Sequence, residues 1–108
     1  MNMQSYHAEF GGGLARLVQR EHDEPKPGEH EVVVRVHARS LNRREIMIVV
    51  EGRYPLPIRP DVVPVSDGAG EVVAVGSAVT RVKVGDRVSG SVFAQWIDGP
   101  FDLRDLLR

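Results

Sequence analysis

Valine occupies 18 positions of this chain, against 7 for leucine. Side chains branched at Cβ lose rotamer freedom in a helix and pack well on a pleated surface. Eleven glycines and 7 prolines interrupt the chain every few residues. Together these features predict a mainly β domain of short strands and many turns.

Walking the chain gives candidate elements. Gln4 to Phe10 reads as a first strand, ending at Gly11-Gly12-Gly13, where positive φ allows a tight turn. Leu14 to Glu21 alternates and reads as a second strand. Pro25-Lys26-Pro27-Gly28 reads as a loop. Glu31 to Ser40 has the best strand pattern, with Val32, Val34, Val36 and Ala38 on one face and Val33, Arg35, His37 and Arg39 on the other. Asn42 to Glu51 is the best helix candidate: Asn42 can cap the first turn, Glu45 can reach back to the cap amide, and Gly52 is a natural stop. Its interior, Ile46 to Val50, is apolar all round, so a strand stays open as the alternative. The prolines between Tyr54 and Pro64 impose an irregular, extended loop. Gly68 to Gly76 is a strand bounded by glycines, Gly85-Asp86 a turn, and Arg87 to Phe93 another strand. The tail from Phe101 has Leu103, Leu106 and Leu107 at helical spacing.

Composition narrows the function. A chain of 108 residues is one small domain that buries about 60–65% of its unfolded surface. Fourteen Lys and Arg nearly balance 15 Asp and Glu, so no global field points to nucleic acid or an anionic membrane. With no cysteine, disulfides, thiolate chemistry and zinc sites built on Cys are excluded. Apolar runs of five or six residues are far below the ~20 that span a bilayer. The first residues hold no apolar signal core, and a cytoplasmic location is expected.

None of the four histidines, His7, His22, His30 and His37, pairs with another at the spacing that puts two imidazoles on one helix face; surface or packing roles are expected, and no metal. Gly68-Ala69-Gly70 lacks the third glycine of a dinucleotide fingerprint, because position 73 is Val, and a strand rather than a helix follows. Close backbone contact at a bulge or barrel corner is the better use of these glycines. Asn42-Arg43-Arg44-Glu45 and Ser66-Asp67 are the polar clusters beside apolar elements where a pocket can form, and the two arginines could bind a phosphate or carboxylate or simply be solvated. Serine beside aspartate without a placed histidine is no nucleophilic triad. Tyr54 and Trp96 could line a pocket or belong to the core. No self-contained catalytic set emerges.

The runs Pro64 to Gly76 and Val79 to Val88, with Pro27-Gly28-Glu29, Ser40 to Glu45 and Gly52-Arg53-Tyr54-Pro55 in the same order, resemble the N-terminal GroES-like domain of the medium-chain dehydrogenase/reductase superfamily. The similarity covers about residues 24 to 99 and is strongest to the alcohol dehydrogenase-like and quinone oxidoreductase-like branch. It implies a GroES-like twisted, partly open β-barrel with one or two short helices, incomplete at the C-terminus. In zinc-dependent members a Cys and a His-Glu pair occupy the positions of Asn42, Ser66 and Asp67, and the proton relay begins where Arg44 stands. The resemblance therefore implies hydride transfer without zinc, between NADP or NAD and a small carbonyl, alcohol or quinone. Asn42, Arg43, Tyr54, Ser66, Asp67 and Trp96 are the expected cleft residues, none with an assigned catalytic role. The Rossmann NAD(P)-binding domain of such enzymes lies outside residues 1–108, so the chain alone is expected to bind no cofactor tightly and to be inactive. Unpaired strand edges suggest a homo-oligomer. A stand-alone GroES-like binding or oligomerisation module, or a truncated non-functional reading frame, are the alternatives.

Overall fold

The computed structural model describes residues 2–9, 13–55, 61–91, 93 and 98–102, with Asp61 described by its backbone. Among the described residues, six strands form two antiparallel sheets of three. The first sheet has β1 (Asn2–Glu9) at its centre, flanked by β2 (Leu17–Asp23) and β4 (Asp61–Val62). In the second, β5 (Asp67–Val75) lies between β3 (Val32–Ser40) and β6 (Arg87–Ser89). The sheets are open and not closed into a barrel. The radius of gyration, 15.1 Å, exceeds the about 13 Å of a compact domain of this length. Among the described residues, no helix is long and apolar enough to cross a membrane.

The helix expected from Asn42 to Glu51 is present. Its first turn, α1 (Arg43–Ile46), continues as a π-helix over Met47–Glu51. Asn42 and Glu45 form the capping box, with the Asn42 N–H donating to Glu45 Oε2 at 2.6 Å. Gly52 ends the helix in the left-handed region, at φ 66°, and both its N–H and that of Arg53 reach the Met47 carbonyl. The apolar run is thus sorted by helical geometry: Ile48 and Val49 are buried, while Ile46 and Val50 face outward. The π-helical half packs on β1, where Ala8 is buried too.

Several boundaries differ from the sequence expectations. Leu14–Arg16 is a 3₁₀ turn, and the strand begins at Leu17 and runs on to Asp23. The Arg16 N–H closes that turn on the carbonyl of Gly13, whose φ is 71°. Three alternating residues suit a 3₁₀ turn as well as a strand, and the glycine approach decides between them. Within the Tyr54–Pro64 loop, Asp61 and Val62 pair with Glu9 and Ala8 as β4 rather than staying irregular. The strand expected from Arg87 to Phe93 covers only Arg87–Ser89. The two-faced pattern of β3 holds poorly beyond Val34, since Val36 and Ala38 are exposed like Arg35, His37 and Arg39. Phe10, Gly11, Gly12, Trp96 and the tail leucines lie outside the described residues.

Strand β5 is the spine of the second sheet. Val72 is fully buried and paired on both sides. The β3–β5 ladder breaks register twice, between Val33 and Val34 and between Val36 and Ala38. Beside the second break, a Cβ on Gly70 would stand 2.0 Å from the Arg35 carbonyl oxygen and 2.9 Å from the Val36 Cα. A Cβ on Gly76 would meet the Gly28 carbonyl oxygen at the same 2.0 Å. These two glycines are required for backbone approach, as expected for this segment. Gly68 differs, because its nearest neighbour would be the Val36 side chain at 3.6 Å.

Between β5 and β6 the Lys83–Asp86 turn is clasped twice. The Lys83 N–H donates to Asp86 Oδ2 at 3.0 Å, and Nζ donates to Oδ1 at 2.8 Å. The side-chain hydrogen bond first, and the charge partner with it, hold the Asp86 carboxyl below its ordinary 3.8 and the Lys83 ammonium above its ordinary 10.5.

Two predictions follow from these close contacts. In urea unfolding, Gly70→Ala should destabilise the chain by about 2–3 kcal/mol, because backbone atoms cannot yield as a flexible side chain can. Gly68→Ala should stay within about 1 kcal/mol, and equal losses at both positions would contradict the close-approach account. At the turn, a depressed carboxylate stabilises above its unfolded value and loses that contribution as pH falls through the folded one. A raised ammonium stabilises below its unfolded value and loses it as pH rises through the folded one. Asp86→Asn should therefore be slightly less stable than the parent at neutral pH, where the contribution is present, and the difference should vanish as pH falls below about 4, giving a flatter acid limb.

Candidate functional site

Ser40 pairs with Asp67, so the chain leaving β3 and the chain starting β5 meet at one end of the sheet. The capped helix begins there on one side, and Ser66 and Asp67 arrive on the other. Asn42 Nδ2 donates to Asp67 Oδ2 at 2.6 Å, joining residues 25 positions apart. Ser66 Oγ donates to Glu45 Oε1 at 3.1 Å. Glu45 is only 7% exposed, and its carboxylate accepts from the Asn42 main chain, from Ser66 and, at 3.4 Å, from Arg44 Nη1. A buried carboxylate needs such partners, because each oxygen taken out of water must recover its hydrogen bonds.

Arg44 completes the cluster. Its Nη1 also donates to the Pro64 carbonyl at 3.4 Å, and its guanidinium carbon sits 5.4 Å from the centre of the Tyr54 ring. Four of the expected cleft residues, Asn42, Tyr54, Ser66 and Asp67, are thus brought together through Glu45 and Arg44. Arg43 points elsewhere: it is largely exposed, and its Nη2 donates to Glu51 Oε1 at 3.0 Å. Arg53 holds the other oxygen of Glu51 at 3.3 Å. The sixth expected residue, Trp96, lies outside the described residues.

The sequence singles out Glu45 only as a helix cap, yet it is the hub of the cluster. Its first role is readable because Asn42 lies three residues away. The second depends on Ser66, 21 residues on, for which no local pattern exists.

Asp67 borders an open groove of about 360 Å³, which it lines with Ser40, Gly68 and Ser89. A larger groove of about 780 Å³ crosses the same sheet past His37, Glu71 and Arg87 and contains none of the clustered residues. Of the clustered residues, Asp67 lines the smaller groove, and the Asn42 amide is bonded to it. As a zinc site this donor set does not fit: zinc favours thiolate and imidazole, and the Asn42 amide is already bonded to the Asp67 carboxylate. Among the described residues, no three His, Cys, Asp or Glu side chains gather to hold a metal.

Residues 28–100 match the family described as the alcohol dehydrogenase GroES-like domain. A quinone oxidoreductase of Pseudomonas aeruginosa is 47% identical over 78 residues, covering 72% of this chain and 23% of that protein. A zinc-type alcohol dehydrogenase-like protein of Schizosaccharomyces pombe is 41% identical over 90 residues, covering 81% of this chain and 25% of that one. The crystal structure of Escherichia coli quinone oxidoreductase complexed with NADPH superposes with a TM-score of 0.64 at 30% identity, over 81% of this chain and 26% of that one. The chain thus spans about a quarter of the length of the curated relatives it matches.

Removing the hub tests the cluster. Glu45→Ala deletes both the cap partner and the acceptor of Ser66, and should cost about 2–3 kcal/mol in urea unfolding. Glu45→Gln keeps the shape and one acceptor oxygen and should cost about half as much. A Glu45→Ala protein as stable as the parent would show that the carboxylate does not tie helix to strand.

Proposed function

The chain belongs to the alcohol dehydrogenase GroES-like domain family, and on that premise we propose that it forms the substrate-side portion of a zinc-independent, NAD(P)-dependent oxidoreductase of the cytosol. The substrate class is a small quinone, carbonyl or alcohol. The observation that carries this reading is the family match over residues 28–100, inside which the Asn42–Asp67 and Glu45–Ser66 bonds build a polar cluster beside a groove. Where zinc-dependent members would place metal ligands, this chain has an amide, a hydroxyl and a short carboxylate bonded to their neighbours.

In this reading the nicotinamide supplies a hydride, and the reduced substrate takes one proton from water. The chain's own residues orient the substrate. Asn42 and Asp67 fix each other, Ser66 is held by Glu45, and Arg44 over Tyr54 closes one side of the cluster. Pre-set polar groups of this kind contribute position rather than bond chemistry. The pyrophosphate of the cofactor requires a glycine turn at a helix N-terminus. Gly68-Ala69-Gly70 lies instead within β5. The nicotinamide-holding fold is therefore assigned to polypeptide other than residues 1–108, and this chain alone should not oxidise NADPH or NADH.

Exchange into a relative tests the proposal. A chimera carrying residues 28–100 in place of the matching segment of the Pseudomonas aeruginosa quinone oxidoreductase should oxidise NADPH with a quinone acceptor. Asn42→Ala or Asp67→Ala in that chimera should lower kcat/KM about tenfold or more while NADPH affinity stays within about twofold. A folded chimera that binds NADPH and reduces no quinone, aldehyde or ketone would overturn the reading, as would steady turnover by the 108-residue chain alone.

A further inference from the structure

Outside this cluster, the β1–β2 pair carries an arrangement of imidazoles that the oxidoreductase reading does not use. The register sets Met3 opposite His22, Ser5 opposite Arg20 and His7 opposite Val18. His7 and His22 therefore share one face of the sheet, at the two ends of a stretch with Ser5 midway. Both rings lean inward. Each Nε2 lies 2.8 Å from Ser5 Oγ, and the rings stand 6.3 Å apart at 87°.

The bonding pattern fixes the tautomer that one ring adopts when neutral. His22 Nδ1 lies 2.8 Å from the Asp23 carbonyl oxygen, which can only accept. Nδ1 therefore carries the proton, and the neutral ring keeps its lone pair on Nε2, aimed at Ser5. An imidazole whose far N–H is anchored on a backbone carbonyl is the usual outer-shell arrangement of a metal-ligating histidine. Arg20 shares this face, but its guanidinium reaches Glu9 Oε1 at 3.5 Å, so its charge is offset by a carboxylate.

We propose that His7 and His22 form a two-imidazole site for a divalent transition cation, bound through Nε2 of each ring in place of their shared contact with Ser5. Imidazole donors suit zinc, copper and nickel, and solvent can complete the coordination of a site on an exposed strand pair. A bound cation sits ~2.0–2.1 Å from each nitrogen, which small ring rotations achieve from nitrogens already converged on one atom. Binding replaces the Ser5 contacts, each ring offering the Nε2 lone pair of its neutral form. The site lies on the sheet of β1, whereas Asp67 belongs to β5 of the other, and it does not depend on the oxidoreductase reading.

Zinc titration of the full chain at about pH 7.5, where imidazole is largely neutral, tests it by nitrogen-15 NMR of the histidine rings. Saturable 1:1 binding should move the His7 and His22 ring signals together and leave those of His30 and His37 in place. His7→Asn and His22→Asn should each weaken binding more than about tenfold, and His30→Asn should not. Ser5→Ala keeps both imidazoles and should retain affinity within about threefold, which guards against variants that merely disturb the strands. Equal shifts at all four histidines, affinity indifferent to both single substitutions, or loss of binding in Ser5→Ala would overturn the proposal.

Discussion

The architecture depends on how closely the backbone of β5 can approach its neighbours. At Gly70 the Arg35 carbonyl occupies the space a Cβ would need, and at Gly76 the carbonyls of Gly28 and Glu29 do the same. With these contacts, β5 is pinned to β3 along its length and to the Gly28–Glu31 turn at its far end. The Gly76 N–H donates to the Glu31 carbonyl, and the Ala78 N–H donates to that of Glu29. That anchoring fixes where Ser66 and Asp67 stand at the other end of the strand.

The second support is a carboxylate withdrawn from water. Glu45 closes the first helical turn and receives the Ser66 hydroxyl, so one residue determines both the start of the helix and the position of the loop before β5. Arg44 compensates its charge, while the guanidinium also touches the Pro64 carbonyl and the Tyr54 ring. Local capping and long-range site assembly thus draw on the same two oxygens. A buried charge with this many partners is costly to disturb, which makes it a poor place for drift and a good place for precision.

Much of this was legible in the residues, to different depths. The helix start at Asn42 and its stop at Gly52 follow from spacing alone, and both hold. The glycine-bounded strand holds to within a residue, as Asp67–Val75. Failures occur where the competing structures share a pattern. Leu14–Arg16 alternates like a strand yet closes a 3₁₀ turn, and Asp61–Val62 sits among prolines yet pairs with β1. The site was partly legible. Asn42, Ser66, Asp67 and Tyr54 come together, while Arg43 turns to Glu51 and Arg44 takes the place beside Glu45. Neighbouring arginines on a first helical turn point in different directions, and only the packed structure says which one turns inward. The meeting of His7 with His22 needs the strand register and has no counterpart in helical spacing.

The two irregularities of the β3–β5 ladder compensate each other. Val73 is the extra residue on one strand and His37 on the other, so Val32 faces Val75 and Ser40 faces Asp67 as they would in an uninterrupted ladder, while the pairs from Val34 to Val36 are offset. The two strands are therefore coupled in length. Deleting either looped-out residue alone would slide one chain past the other by a single step and turn its later side chains to the opposite face. Asn42 would then no longer meet Asp67. The length of this ladder can therefore change only by residues added or removed in matched pairs.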